Sequence, residues 1–131
     1  MQQAQELRVA LTANDFDGSV SFYRDVVGLT VREEWPSANG RGVLFSLPEA
    51  TLEIIDQAHS AWVDEMEVGR RVSGPVRFAI RFPDLEAAVR SARAVGAPVL
   101  RAPAMTPWKD WNARVLGPGG LQVTFFQSPV T

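Results

Sequence analysis

The sequence predicts an α+β domain made of two βαβββ modules in tandem. Three observations carry that prediction. Alternating apolar residues mark strand-like segments on both sides of two stretches that have helical spacing. Each helical stretch opens on an aspartate and closes on a glycine, the residues that favour helix starts and stops. The residues themselves repeat: Asp15-Phe16-x-x-Ser19-Val20 followed by Gly28 returns as Asp84-Leu85-x-x-Ala88-Val89 followed by Gly96. An echo of this kind marks a duplicated unit.

In order along the chain, residues 7–13 read as a first strand. A helix follows, capped by Asp15 or Asp17, with Phe16, Val20, Tyr23 and Val27 on one stripe and Gly28 as its stop. Strands at 30–35, 42–47 and 51–56 come next, separated by the turn signals Pro36, Asn39-Gly40 and Pro48-Glu49. The second module opens with a strand at 76–82. Asp84 then caps a helix bearing Leu85, Ala88, Val89, Ala92 and Val95, and Gly96 ends it. Strands at 98–101, 112–116 and 121–127 complete it. The expected organisation is one domain over 1–131, with module one at 7–56, a linker at 57–74 and module two at 75–128. The linker holds His59, Trp62, Met66 and the acidic residues Asp64, Glu65 and Glu67. It reads as a connection with one helical turn, its charges forming a solvated face.

Bulk composition narrows the function. A chain of 131 residues with 46% hydrophobic and 21% charged side chains has enough apolar material for one continuous core. The formal net charge of −2 offers no broad basic surface for phosphates, so nucleic acid is not expected as a partner. With no cysteine there is no disulfide, thiolate metal site or cysteine nucleophile. The start of the chain lacks a basic segment followed by an apolar run, and no stretch nears the roughly 18 apolar residues of a membrane span. A cytoplasmic protein without membrane association is expected.

The segment Ser19-Val20-Ser21-Phe22-Tyr23-Arg24-Asp25-Val26-Val27-Gly28-Leu29 resembles the first-helix signature of the glyoxalase/bleomycin-resistance/extradiol-dioxygenase superfamily, also called the vicinal-oxygen-chelate fold. Pro107-Trp108 and the turn Gly117-Pro118-Gly119-Gly120 resemble its Pro-Trp and Asp-Pro-Asp-Gly region, with glycine at both aspartate positions. The resemblance covers nearly the whole chain. It implies that the two modules form a curved mixed sheet with a concave ligand cleft. Enzymes of the family hold a divalent metal on the first and last strand of each module, and those positions correspond here to Arg8, Glu53, Arg77 and Thr124. Guanidinium has no free lone pair and stays protonated, so only Glu53 of the four remains a plausible ligand. One histidine, His59, cannot build a site alone. No metal and no other cofactor is expected.

Strand alternation assigns side chains to two faces. Val9, Leu11, Leu52, Ile54, Phe78, Ile80, Phe82, Val123 and Phe125 form the helix-packing face. Arg8, Ala10, Thr12, Glu53, Ile55, Arg77, Ala79, Arg81, Gln122, Thr124 and Phe126 line the concave side. Four tryptophans, Trp35, Trp62, Trp108 and Trp111, fall at strand ends or in loops, where they either stack on a planar ligand or anchor the loops. The arginines either donate hydrogen bonds to a ligand oxygen or pair with Glu53 to satisfy a buried carboxylate. The expected ligand-binding set is Arg8, Trp35, Phe45, Glu53, Trp62, Met66, Arg77, Trp108, Trp111, Thr124 and Phe126.

Metal-free resistance proteins of the superfamily are similar in forming homodimers whose grooves use both subunits. The resemblance therefore implies a homodimer that sequesters a polycyclic aromatic or quinone-type antibiotic, or an aromatic metabolite, without turnover and with no catalytic residue. The alternative is a metal-independent isomerase- or lyase-like enzyme with Glu53 as general base.

Overall fold

The computed structural model describes residues 5, 8–9, 11, 13–37, 40–50, 53 and 56–127, with only the backbone course given at 35–37. The second module forms as expected. Strands β3 (Phe78–Arg81), β4 (Val99–Met105), β5 (Trp111–Leu116) and β6 (Gln122–Gln127) make a four-stranded sheet in the order β3-β6-β5-β4, with α3 (Leu85–Ala94) in the helix slot between β3 and β4. β3 runs parallel to β6, and the other two pairings are antiparallel. The Asp84 side chain accepts the Ala87 amide at 3.1 Å and starts α3. Leu85, Ala88, Val89 and Ala92 are buried as expected. Val95 is a correction: it is the C-cap, so it has left the helical stripe and lies exposed.

In the first module Asp15, rather than Asp17, caps α1 (Phe16–Ser21) by accepting the Gly18 amide at 3.0 Å. The helix then widens into a π-helical turn over Phe22–Val26. The wider turn shifts the buried stripe from Phe16, Val20, Tyr23 and Val27 to Phe22, Tyr23, Val26 and Val27, which leaves Phe16 and Val20 half-buried. Gly28 sits at φ +84°, the left-handed region that a glycine enters freely. β1 (Thr30–Ser37) and β2 (Gly40–Ser46) form an antiparallel hairpin with a bulge between Val31 and Glu33. The expected strands at 7–13 and 51–56 lie largely outside the described residues, which include neither Leu7, Ala10 and Thr12 nor Thr51, Leu52, Ile54 and Ile55. Val9 and Leu11, expected on the helix-packing face, belong to no strand, so no pleat turns them toward a helix, and both are exposed.

The largest departure is at 57–74. Instead of a linker with one helical turn, residues Gln57–Val68 form a 12-residue helix, α2, capped by Asp56, whose carboxylate accepts the His59 amide at 2.8 Å, and ended by Gly69 at φ +82°. Its buried residues are Val63, Asp64 and Glu67, so no apolar stripe announces it. α2 packs on β4 and β5.

The core lies between the sheet and the helices α1 and α3. Phe22, Tyr23, Val26 and Val27 join Leu85, Val89 and Ala92 against Ala113, Val115, Val123 and Phe125, each of these four strand residues fully buried. Among the described residues no helix is long and apolar enough to cross a membrane.

Candidate functional site

Alternation along β5 and β6 puts Ala113, Val115, Val123 and Phe125 into the core, so Asn112, Arg114, Gln122 and Thr124 face the other way, toward α2. All four are buried nonetheless, and α2 meets this face at Arg114. Arg114, with 0% of its surface exposed, donates from Nε to Glu67 Oε1 at 2.8 Å and from Nη1 to Asp64 Oδ1 at 3.0 Å. Asp64 Oδ2 accepts from Arg71 Nη1 at 2.8 Å and from the amides of Val72 and Ser73 at 2.9 and 2.8 Å. The Ser73 hydroxyl donates to Asp64 Oδ1 at 2.6 Å. Burial alone would push the Asp64 carboxyl up. The hydrogen bonds from Ser73, Arg71 and Val72 outweigh burial and hold it well below the usual carboxylate range. Sequence reasoning read Asp64 and Glu67 as solvated charges. They are instead the buried partners of an arginine that it had not assigned to a site.

Arg77 reaches the same face. Its Nη1 donates to the Thr124 hydroxyl, and Thr124 stands directly opposite Arg114 in the β5–β6 pairing. Burial, and then the nearby charge of Arg114, lower the Arg77 guanidinium below its ordinary value against the opposing pull of Glu67, Glu53 and Asp64. Arg77 and Thr124 are therefore brought together as expected. Phe126 shares their face, half-buried. Glu53 is exposed, so it is not the buried carboxylate that the arginines were expected to satisfy, and Arg8 is exposed as well. Ala79 and Arg81 are also exposed, Arg81 donating to Glu49 Oε2 at 3.3 Å.

A second group forms on the outer side of α2. The rings of Trp62 and Trp108 meet with centroids 5.7 Å apart, and His59 lies 5.6 Å from Trp62. Trp62 is 44% exposed and Trp108 41%, with Met66 one turn along α2 and Met105 also open to solvent. Trp62 sits within a helix, not in a loop as expected. Trp111 and Phe45 pack instead against the helix-side core, half-buried. The Trp35 side chain lies outside the described residues.

The metal positions of the family do not fit a divalent cation. Arg77 donates to the Thr124 hydroxyl, which turns two of the four positions toward each other. Among the described residues no three His, Asp or Glu side chains converge into a metal-holding group. A recess of 340 Å³ opens elsewhere, between 74–76 and the turn Pro118–Gly120, bordered by Gln122. None of the expected site residues lines it.

The profile of the Glyoxalase/Bleomycin resistance protein/Dioxygenase superfamily matches residues 7–125. The chain belongs to this superfamily. No curated protein matches the chain. Among solved structures, this superfamily member is similar to TnmS3, an antibiotic-binding protein from Streptomyces sp. CB03234, with a TM-score of 0.65 and 19% identity over 98% of this chain and 99% of that one. UcmS2 is similar with a TM-score of 0.62 and 16% identity, covering 95% and 98%. A lactoylglutathione lyase from Agrobacterium tumefaciens has a TM-score of 0.58 and 24% identity, covering 96% and 95%. At these identities the likeness shows the fold alone, and the fold serves both a binder and an enzyme.

Proposed function

We propose that this superfamily member binds a planar organic molecule, of the polycyclic aromatic or quinone type found among antibiotics, and sequesters it without metal and without turnover. The observation that carries this reading is the open aromatic pair Trp62–Trp108 with Met66 beside it. Two large rings held together yet more than two-fifths exposed leave apolar area in water that a flat ligand would cover, and stacking adds roughly 0.5–1.5 kcal/mol per pair. Thioether sulfur suits the edge of such a ligand. The likeness to TnmS3, an antibiotic-binding protein, supports an antibiotic as the ligand. The protein works as a cytoplasmic homodimer conferring self-resistance, with a second copy completing the cleft around Arg8, Trp35, Glu53 and Phe126.

The test mixes chelator-treated protein with a panel of quinone and DNA-damaging antibiotics, recording tryptophan fluorescence and ligand mass. Quenching at stoichiometric ligand with unchanged mass is expected. A mass change that disappears in Glu53→Gln would assign the chain to the enzymes of the family.

A further inference from the structure

One nitrogen of the buried Arg114 lacks an acceptor. Its Nε and Nη1 are bonded to Glu67, Asp64 and Ser73, but Nη2 is buried with no hydrogen-bond partner. Leaving such a donor unmet in the interior is costly, and each instance needs an explanation such as a missing water, ion or ligand. The other buried side-chain polar atom without a partner among the described residues is the Tyr23 hydroxyl, which sits among apolar rings in the helix-side core. Arg114, by contrast, stands among polar groups. Beside it lies a second guanidinium, Arg77, tied to Thr124 directly opposite Arg114, and the two cations act on each other.

The recess lies next to this pair, with Gln122 between it and the buried Arg114. Gln122 borders it, and Gln122 Oε1 meets Arg114 Nη1 at 3.5 Å, the longest and weakest contact Arg114 makes. The recess walls at 74–76 join Ser73, which binds Arg114, to Arg77 itself. Leu11, Pro75, Val76, Pro118 and Leu121 make the remaining walls largely apolar. Its volume of 340 Å³ suits a single-ring molecule and is at the lower end for ligand sites.

We propose that this recess is a binding site for a small carboxylate with an apolar body, such as an aromatic acid. The body rests against Pro75, Val76 and Leu121. The carboxylate displaces the weak Gln122 contact, accepts from Arg114 Nη2 and lies within the field of Arg77. Arg114 Nε and Nη1 are already engaged, so the contact is a charge-assisted bond at Nη2 alone, which favours carboxylate over a neutral amide. The site is separate from the aromatic pair and does not depend on it.

Benzoate, benzamide and inorganic phosphate are titrated into the full chain, followed by calorimetry and by the arginine side-chain NMR signals. Benzoate is expected to bind at least tenfold more tightly than either of the others and to shift the Arg114 Nη resonances. Arg77→Gln and Val76→Glu, both away from the apolar core, are expected to weaken benzoate at least fivefold while the fold is retained. Trp62→Ala is expected to leave it unchanged, so a failure here leaves the aromatic-pair reading standing. Equal binding of benzamide would overturn the guanidinium role, equal binding of phosphate would overturn the recess, and no binding of benzoate would overturn both.

Discussion

The two faces of the four-stranded sheet are built from alternate residues of the same strands and are held by opposite means. On one side Ala113, Val115, Val123 and Phe125 meet the helices through apolar contact alone. On the other, Arg114 meets Asp64 and Glu67 of α2 through charge and hydrogen bonds, while Gln122 accepts from Arg114 and Thr124 from Arg77, with Asp64 and Glu67 at 1% and 5% exposure. An apolar face tolerates imperfect partners because the hydrophobic effect is non-directional. A buried ion cluster does not, since each charge taken from water needs its own partner in place. The first face therefore stabilises the fold, while the second specifies where one helix must sit and leaves one buried donor, Arg114 Nη2, without a partner.

The comparison breaks most sharply at Arg114. Arg114→Met leaves Glu67 without its guanidinium partner and Asp64 with Arg71 alone, and is expected to cost about 3–5 kcal/mol in urea unfolding. Phe125→Ala on the opposite face is expected to cost a similar amount, about 3–5 kcal/mol, through a cavity. The faces separate in a combined variant: Asp64→Leu with Glu67→Leu and Arg114→Met should recover most of the loss, because an apolar contact replaces the whole cluster. If the combined variant is as unstable as Arg114→Met alone, the cluster is not what holds α2.

Acid should melt the polar face before the apolar one. The folded Asp64 carboxyl is depressed, so its contribution is fully present above the unfolded value of about 3.9 and is lost as pH falls below that toward its low folded value. Hydrogen exchange at pH 3 is expected to open the α2 amides ahead of those of α3. Simultaneous opening of both would remove the distinction.

Arg77 tests the polar face from the opposite direction. Burial and the Arg114 charge both disfavour its charged form, so Arg77→Met is expected to raise stability by about 0.5–2 kcal/mol, read as a higher Tm. A fall would mean that its bond to Thr124 matters more than the repulsion. The smallest stability effect is expected at the exposed pair: Trp62→Ala should change stability by about 1 kcal/mol or less while weakening a quinone ligand more than tenfold. If it unfolds the protein instead, Trp62 is a core residue.

Much of the fold was legible because it rests on local chemistry. Asp84, Gly96 and the stripe Leu85, Ala88, Val89, Ala92 mark α3 through capping, left-handed backbone and helical spacing, all of which act within a few residues. The strands of the second module follow from alternation in the same way. The π-turn was hidden, since Phe22–Val26 reads as ordinary helix until packing on the sheet selects the wider register. α2 was hidden for a different reason: its buried face is Asp64 and Glu67, residues that look solvated unless the distant Arg114 is known to meet them. One signal was present, namely an arginine in the middle of the otherwise apolar stretch Ala113-Arg114-Val115-Leu116. A charge at such a strand position calls for a buried partner, and Asp64 and Glu67, three apart on a helix, supply two.

The sequence by itself determined the α+β class, the second module's helix and strands, and the superfamily, because these depend on residue type and on neighbours along the chain. Only the tertiary structure decided that α2 packs on β4 and β5 and pairs with Arg114, that Trp62 meets Trp108 in the open while Trp111 turns to the core, and that Arg114 keeps one donor unmet. Each of those depends on which groups far apart in the chain share the same few ångströms, and burial there sets whether a charge is solvated, paired or left waiting for a ligand.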